Sequence, residues 1–198
     1  MKFIETYWDD KSLGMRTYEI ICEEKDKAEL ISKSIKETID RGNNYIVVKV
    51  PILRYDINSI LSATGFIFVE TQLTLHICAN KFYSYTINQE KGYDISIREE
   101  IKTMDQLENI ISLIGNNMFV TDRISLHNKF GKEYANIRYK NWLKSNFNKQ
   151  NIIIFQSYLK DEIAGFGMHK IESKKVYGLL GGVFEPYQSS GLFASGLY

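Results

Sequence analysis

The residues best suited to chemistry lie near the C-terminal end of a 198-residue chain, in the run Gly181-Gly182-Val183-Phe184-Glu185-Pro186-Tyr187-Gln188-Ser189-Ser190-Gly191-Leu192-Phe193-Ala194. A strand-forming stretch precedes this run, and a helix is expected to begin at about Leu192. A strand-to-helix turn of that kind aims several backbone N–H groups at one spot, where the helix dipole also favours negative charge. Ser189 and Ser190 suit the cap region, and Gly191 lets a ligand approach the backbone closely. The chemistry implied is an anion site, most naturally one for phosphate. A turn that binds nothing has the same local sequence, because Gln-x-x-Gly is short enough to arise by chance. The other common phosphate motifs, a Walker A loop and Gly-x-Gly-x-x-Gly, are absent.

The other reactive side chains are dispersed. His76, His127 and His169 share no ligand spacing with one another or with Cys22 and Cys78, so no metal site is expected. The two cysteines form no Cys-x-x-Cys pair and are expected to be reduced and buried, as in a cytoplasmic protein. Glu185 is the one carboxylate next to the loop and a weak candidate for a base acting through water. A surface turn is the commoner place for such a residue. Tyr177 and Tyr187 are expected to pack or rim the site, and His169 to be structural.

With 25 basic and 24 acidic residues the net charge is +1, which leaves no global field to attract nucleic acid or anionic lipid. The first residues, Met1 to Trp8, contain no apolar signal core, and no run approaches membrane-spanning length. The expectation is a cytosolic protein without nucleic-acid or membrane partners.

These residues must be positioned by alternating strands and helices. A strand is expected over Met15 to Cys22, and a helix over Asp26 to Arg41 with Ala28, Ile31, Ile35 and Ile39 on one face. A covered β-branched strand follows at Tyr45 to Val50, then a helix through Ile57, Ile60 and Leu61 that ends at Gly65. A long strand is expected over Phe66 to Cys78, completing a β-α-β-α-β module over residues 1–90. The polar turn Asn88 to Gly92 marks the boundary, and a second cycle spans 93–198.

That cycle opens with a strand over Asp94 to Arg98. Thr103 and Gln106 form a capping box for a helix with Leu107, Ile110, Ile111 and Ile114 on its buried face. Asn116 to Phe130 reads as irregular, and Lys132 to Phe147 as a helix burying Tyr134, Ile137, Trp142 and Leu143. Three strands at close spacing, Asn151 to Leu159, Ile163 to Ile171 and Val176 to Phe184, imply an antiparallel meander. The fold class is therefore α/β with a mixed α+β sheet.

The element order from about Tyr93, together with Val183 and Gln188-Ser189-Ser190-Gly191, resembles the GNAT superfamily of acetyl-CoA-dependent N-acetyltransferases. The pyrophosphate loop of that family reads Gln/Arg-x-x-Gly-x-Gly/Ala between the fourth strand and third helix. Asp161-Glu162-Ile163-Ala164-Gly165-Phe166 looks like the hairpin leading into the family's third strand. In the first half, Trp8 to Gly14 and Leu61 to Glu70 resemble the leading domain of TDP-fucosamine acetyltransferase-like proteins, which acetylate a nucleotide-linked amino sugar. Trp8 itself is expected to pack.

The resemblance implies that acetyl-CoA is the cosubstrate and that Gly182, Val183, Gln188, Ser189, Ser190, Gly191, Leu192 and Phe193 bind it. It implies a small-molecule amine acceptor, with Asp122 and Arg123 on the acceptor side. A salt bridge connecting two helices would also account for that pair. Phe193 departs from the pattern, since the family has Gly or Ala there. The chain is expected to be truncated within the third helix, leaving an open sheet edge prone to pairing with another chain, for example in a homodimer. A degenerate, non-catalytic acyl-CoA-binding or protein-interaction module is the competing expectation.

Overall fold

The computed structural model describes residues 1–73 and 98–190. They form a mixed α/β structure of two sheets and six α-helices, divided into one unit over Met1–Glu70 and another over Thr71–Tyr198.

In the first unit the sheet order is β1 (Lys2–Glu5), β2 (Arg16–Ile21) and β3 (Asn44–Lys49). The β1 strand runs antiparallel to β2, which runs parallel to β3. Two helices, α2 (Ala28–Ile39) and α3 (Tyr55–Ala63), supply the connections on either side of β3. Their apolar stripes meet the sheet in a core of Ile20, Cys22, Ile31, Ile35, Ile57 and Leu61. Parallel strands need a crossover of this kind, so α2 follows from the topology as much as from its sequence.

A short helix α1 (Tyr7–Leu13) precedes β2. Asp10 Oδ1 accepts hydrogen bonds from both the backbone N–H and the hydroxyl of Thr17, each 2.7 Å long. Neither β1 nor α1 was expected from the sequence.

Three expectations for this unit are corrected. Ile39, the last residue of α2, is 44% exposed rather than buried. Residues 66–73 carry no strand: Phe66 packs on the core, but Ile67, Phe68 and Leu73 are exposed. A strand needs a partner ladder, and alternation alone does not supply one. Positions 74–78 and the boundary at 88–92 lie outside the described residues. Trp8 is 49% exposed instead of packed.

In the second unit four strands form an antiparallel sheet in the order β4 (Arg98–Glu100), β5 (Ile152–Leu159), β6 (Glu162–Glu172) and β7 (Lys175–Val183). The turns Lys160-Asp161 and Ser173-Lys174 are short enough to force sequential antiparallel pairing, with Lys160 and Ser173 at positive φ. The first helix, α4 (Met104–Leu113), starts at the capping box. Thr103 Oγ1 accepts from the Gln106 N–H at 3.3 Å, and Gln106 Oε1 accepts from the Thr103 N–H at 3.1 Å. Leu107, Ile110, Ile111 and Ile114 then pack against Ile154, Phe166, Met168 and Phe184 of the sheet side.

The stretch expected to be irregular contains one turn of helix, α5 (Arg123–Leu126), and α6 (Gly131–Asn146) follows. The buried face of α6 departs from expectation. Leu143 is fully buried, but Tyr134 and Ile137 are exposed, while Ala135, Asn136, Arg138 and Asn146 are buried. The stripe is rotated by one residue, about 100° around the helix. A helix that exposes apolar side chains and buries polar ones is held by polar partners in its seam.

Candidate functional site

The β7 strand is the last in its sheet among the described residues, and it ends in the loop singled out above. Its register places Gly181 opposite Gly167 and Gly182 opposite Phe166. The two glycines differ in role. A Cβ on Gly182 would stand 2.8 Å from Met118 Sδ and 3.3 Å from Phe166 Cε1, so its small size admits the α4–α5 loop. A Cβ on Gly181 would meet only the Phe166 carbonyl at 3.4 Å, and Gly181 is exposed. The side of the strand at Gly181 is thus the open one.

After Val183 the chain turns sharply. The Phe184 ring is buried beside Phe166, at a centroid separation of 6.0 Å, and its N–H donates to the Ala164 carbonyl at 2.8 Å. That anchor fixes where the loop leaves the sheet. A single 3₁₀ turn over Glu185–Tyr187 follows, with Pro186 in its first turn. The Tyr187 hydroxyl donates to Glu162 of β6, which raises the phenol's pKa. Gln188 Nε2 reaches back toward the Val183 carbonyl at 3.5 Å, so the two residues that define the motif spacing meet across the turn.

Ser189 adopts φ 70°, a left-handed conformation that redirects the backbone just before Gly191. The N–H groups of Tyr187, Gln188 and Ser190 donate within the turn to Phe184, Glu185 and Tyr187. Any anion held here must therefore draw on other amides of the segment. Glu185 is exposed on the turn. Gly191, Leu192 and Phe193 lie outside the described residues.

Asp122 and Arg123 sit at the start of α5, four and five residues beyond Met118, which packs on Gly182. Asp122 is the N-cap, its Oδ1 accepting from the Ile124 N–H at 2.9 Å. Its Oδ2 accepts from the Tyr139 hydroxyl at 2.6 Å and lies 3.8 Å from Arg138 Nη1. Burial, with the Asp122 carboxylate beside it, pushes the Tyr139 phenol well above its ordinary range. The Arg138 guanidinium in turn lies over the rings of Tyr139 and Trp142. The pair expected as acceptor-side residues thus belongs to a buried polar seam, with Asp122 as its hub.

Two groups of functional interest carried no motif. Asn136 is buried at 4% exposure and donates through Nδ2 to Asn116 Oδ1 at 3.1 Å, while its own Oδ1 has no partner. Ser125 Oγ is likewise buried and unpartnered. Across the sheet, Gln156 donates to both Glu99 and Tyr158, and Tyr158 also donates to Glu99. These bonds hold the Glu99 carboxyl below its usual pKa, which suits a fixed anion rather than a base. The only advance signal for either group was polar residues at positions that helical or strand spacing turns inward.

Cys22 is buried in the first unit, and burial pushes its thiol up to about 11. Cys78 lies outside the described residues. His169 is half-buried and edge-on to Phe155, with ring centroids 5.0 Å apart. Among the described residues no three His, Cys, Asp or Glu side chains converge as a metal would require, and no helix is long and apolar enough to cross a membrane. No protein-family model matches the chain, and no curated protein matches it.

Proposed function

We propose that the second unit is the front part of a GNAT-type N-acetyltransferase domain, which moves an acetyl group from acetyl-CoA to a primary amine. The observation that carries this reading is the exit of β7. The last strand of the sheet among the described residues, with an open face at Gly181, runs directly into a turn where Gln188 meets Val183 and Ser189 is left-handed. The order of one strand, three helices (α5 being a single turn) and three strands, with the antiparallel pairing β4-β5-β6-β7, supports it further.

In this reading the edge of β7 from Gly181 to Val183 pairs with the amide-bearing arm of the thioester, as an added strand would. The diphosphate lies against the segment Ser189 to Phe193. Acetyl-CoA supplies the activated carbonyl. The chain's residues orient it, exclude water with Phe184 and Met118, and receive the amine from the α4–α5 loop side, where Met118 joins that loop to β7. In this reading Glu185, exposed on the turn, takes the amine's proton through water as the amine attacks the carbonyl, and the C–S bond breaks to release the CoA thiolate, which takes its proton from solvent. Isothermal titration with acetyl-CoA tests the binding step, and an acceptor screen tests transfer. Saturable binding without turnover on any amine would favour the non-catalytic acyl-CoA-binding alternative.

A further inference from the structure

Helix α6 carries apolar side chains on its outer face and polar ones in its seam. Tyr134 and Ile137 are 39% and 41% exposed, while Asn136, Arg138 and Asn146 are buried. Phe130, the N-cap, keeps helical backbone angles, and its half-buried ring lies 5.7 Å from that of Tyr134. Phe130, Tyr134, Ile137 and Asn141 are separated by four, three and four residues, which keeps them in one line along the helix. A single exposed apolar residue is ordinary. A narrow line at this spacing is the seam by which one helix packs against another.

The charges beside the line decide what the partner is. The spacing places Phe130 and Ile137 at d positions of a seven-residue repeat, and Tyr134 and Asn141 at a positions. Glu133 and Lys140, each preceding an a position, then share one flank, a single repeat apart. Neither forms an ion pair among the described residues. In an antiparallel pair of identical helices, equivalent flanks meet. Glu133 then lies beside the partner's Lys140, and the two-fold axis repeats that contact in reverse. A parallel pair would bring Glu133 to Arg138, which is buried and already beside Asp122. The antiparallel pair also packs Tyr134 over the partner's Ile137, and Asn141 within the line disfavours other registers.

We propose that this face of α6 is an interface between two copies of the chain, paired antiparallel about a two-fold axis between Tyr134 and Ile137. The interface does not depend on the acetyl-transfer reading and does not use the edge of β7.

The test is sedimentation equilibrium of the whole chain and its variants at low salt. So short a seam makes a weak dimer, whose population should rise with protein concentration. Ile137→Glu, at an exposed position, should keep the fold by circular dichroism and weaken self-association at least about tenfold. Glu133→Lys and Lys140→Glu should each weaken it about tenfold, because each makes both flank contacts like-charged. An equimolar mixture of those two variants should regain association, since every flank contact between them is unlike. The double variant Glu133→Lys/Lys140→Glu should regain it for the same reason. Three results would overturn the proposal: a monomer at every concentration, self-association indifferent to Ile137→Glu, or a mixture no tighter than its components. The first would leave the line on α6 to a different protein.

Discussion

The Tyr139 hydroxyl donates a 2.6 Å hydrogen bond to Asp122 Oδ2, joining α6 to the residue that caps α5. The carboxylate thereby engages three groups at once: the first turn of α5 and, on α6, the phenol of Tyr139 and the nearby guanidinium of Arg138. Removing the phenol alone leaves Asp122 with its other partners, so Tyr139→Phe should cost about 1–2 kcal/mol. Asp122→Ala removes the α5 N-cap, the acceptor of the Tyr139 hydroxyl and an ion-pair partner of the buried Arg138 together, and should cost about 3–5 kcal/mol. Urea unfolding of the two variants checks this. Equal losses would show that Asp122 is no hub.

Close packing sets a second expectation at Gly167. A Cβ there would stand 2.6 Å from Phe155 Cε1 and closer still to Cζ. The ring cannot swing aside freely, because the Arg98 guanidinium lies over it and the His169 ring meets it edge-on. Gly167→Ala should therefore destabilise by about 1–3 kcal/mol. Phe155→Leu in the same chain should recover part of that loss, which thermal unfolding of the single and double variants can read.

His169 gives a pH dependence with a definite sign. Burial, and then the Arg98 charge, lower its folded pKa below the ordinary 6.5. The unfolded chain consequently binds the proton more readily, and stability rises with pH through this window. The contribution is fully present above about 6.5 and is lost as pH falls from there through the folded value. Urea midpoints measured from pH 7.5 down to 5 should fall, and His169→Gln should flatten that part of the slope. An unchanged slope in the variant would assign the effect elsewhere.

Legibility followed locality. The capping box needs only Thr103 and Gln106, three residues apart, and both of its hydrogen bonds are present. The meander of β5, β6 and β7 follows from short turns, and its three strands lie within a few residues of their expected limits. Non-local relationships were not legible. The β1 strand carries Lys2 and Glu5 and shows no apolar run; it is a strand because β2 pairs with it. Phe66 to Val69 alternate like a strand yet have no ladder among the described residues.

On α6 the apolar spacing of Tyr134 and Ile137 pointed to the wrong face, because Asn136 and Tyr139 turn toward Asn116 and Asp122. At the loop, the spacing of Val183 and Gln188 marked two residues that do meet. It could not reveal that Gly182 makes room for Met118 while Gly181 stays open.

The central claim is that the segment after β7 holds the diphosphate of acetyl-CoA, and isothermal titration of the folded 198-residue chain beside its Gly191→Asp variant tests it most directly. The account predicts saturable one-to-one binding by the unmodified chain. In the variant, a carboxylate set against the diphosphate should weaken that binding at least about tenfold. No binding by the folded chain, or equal affinity in the variant, would contradict it.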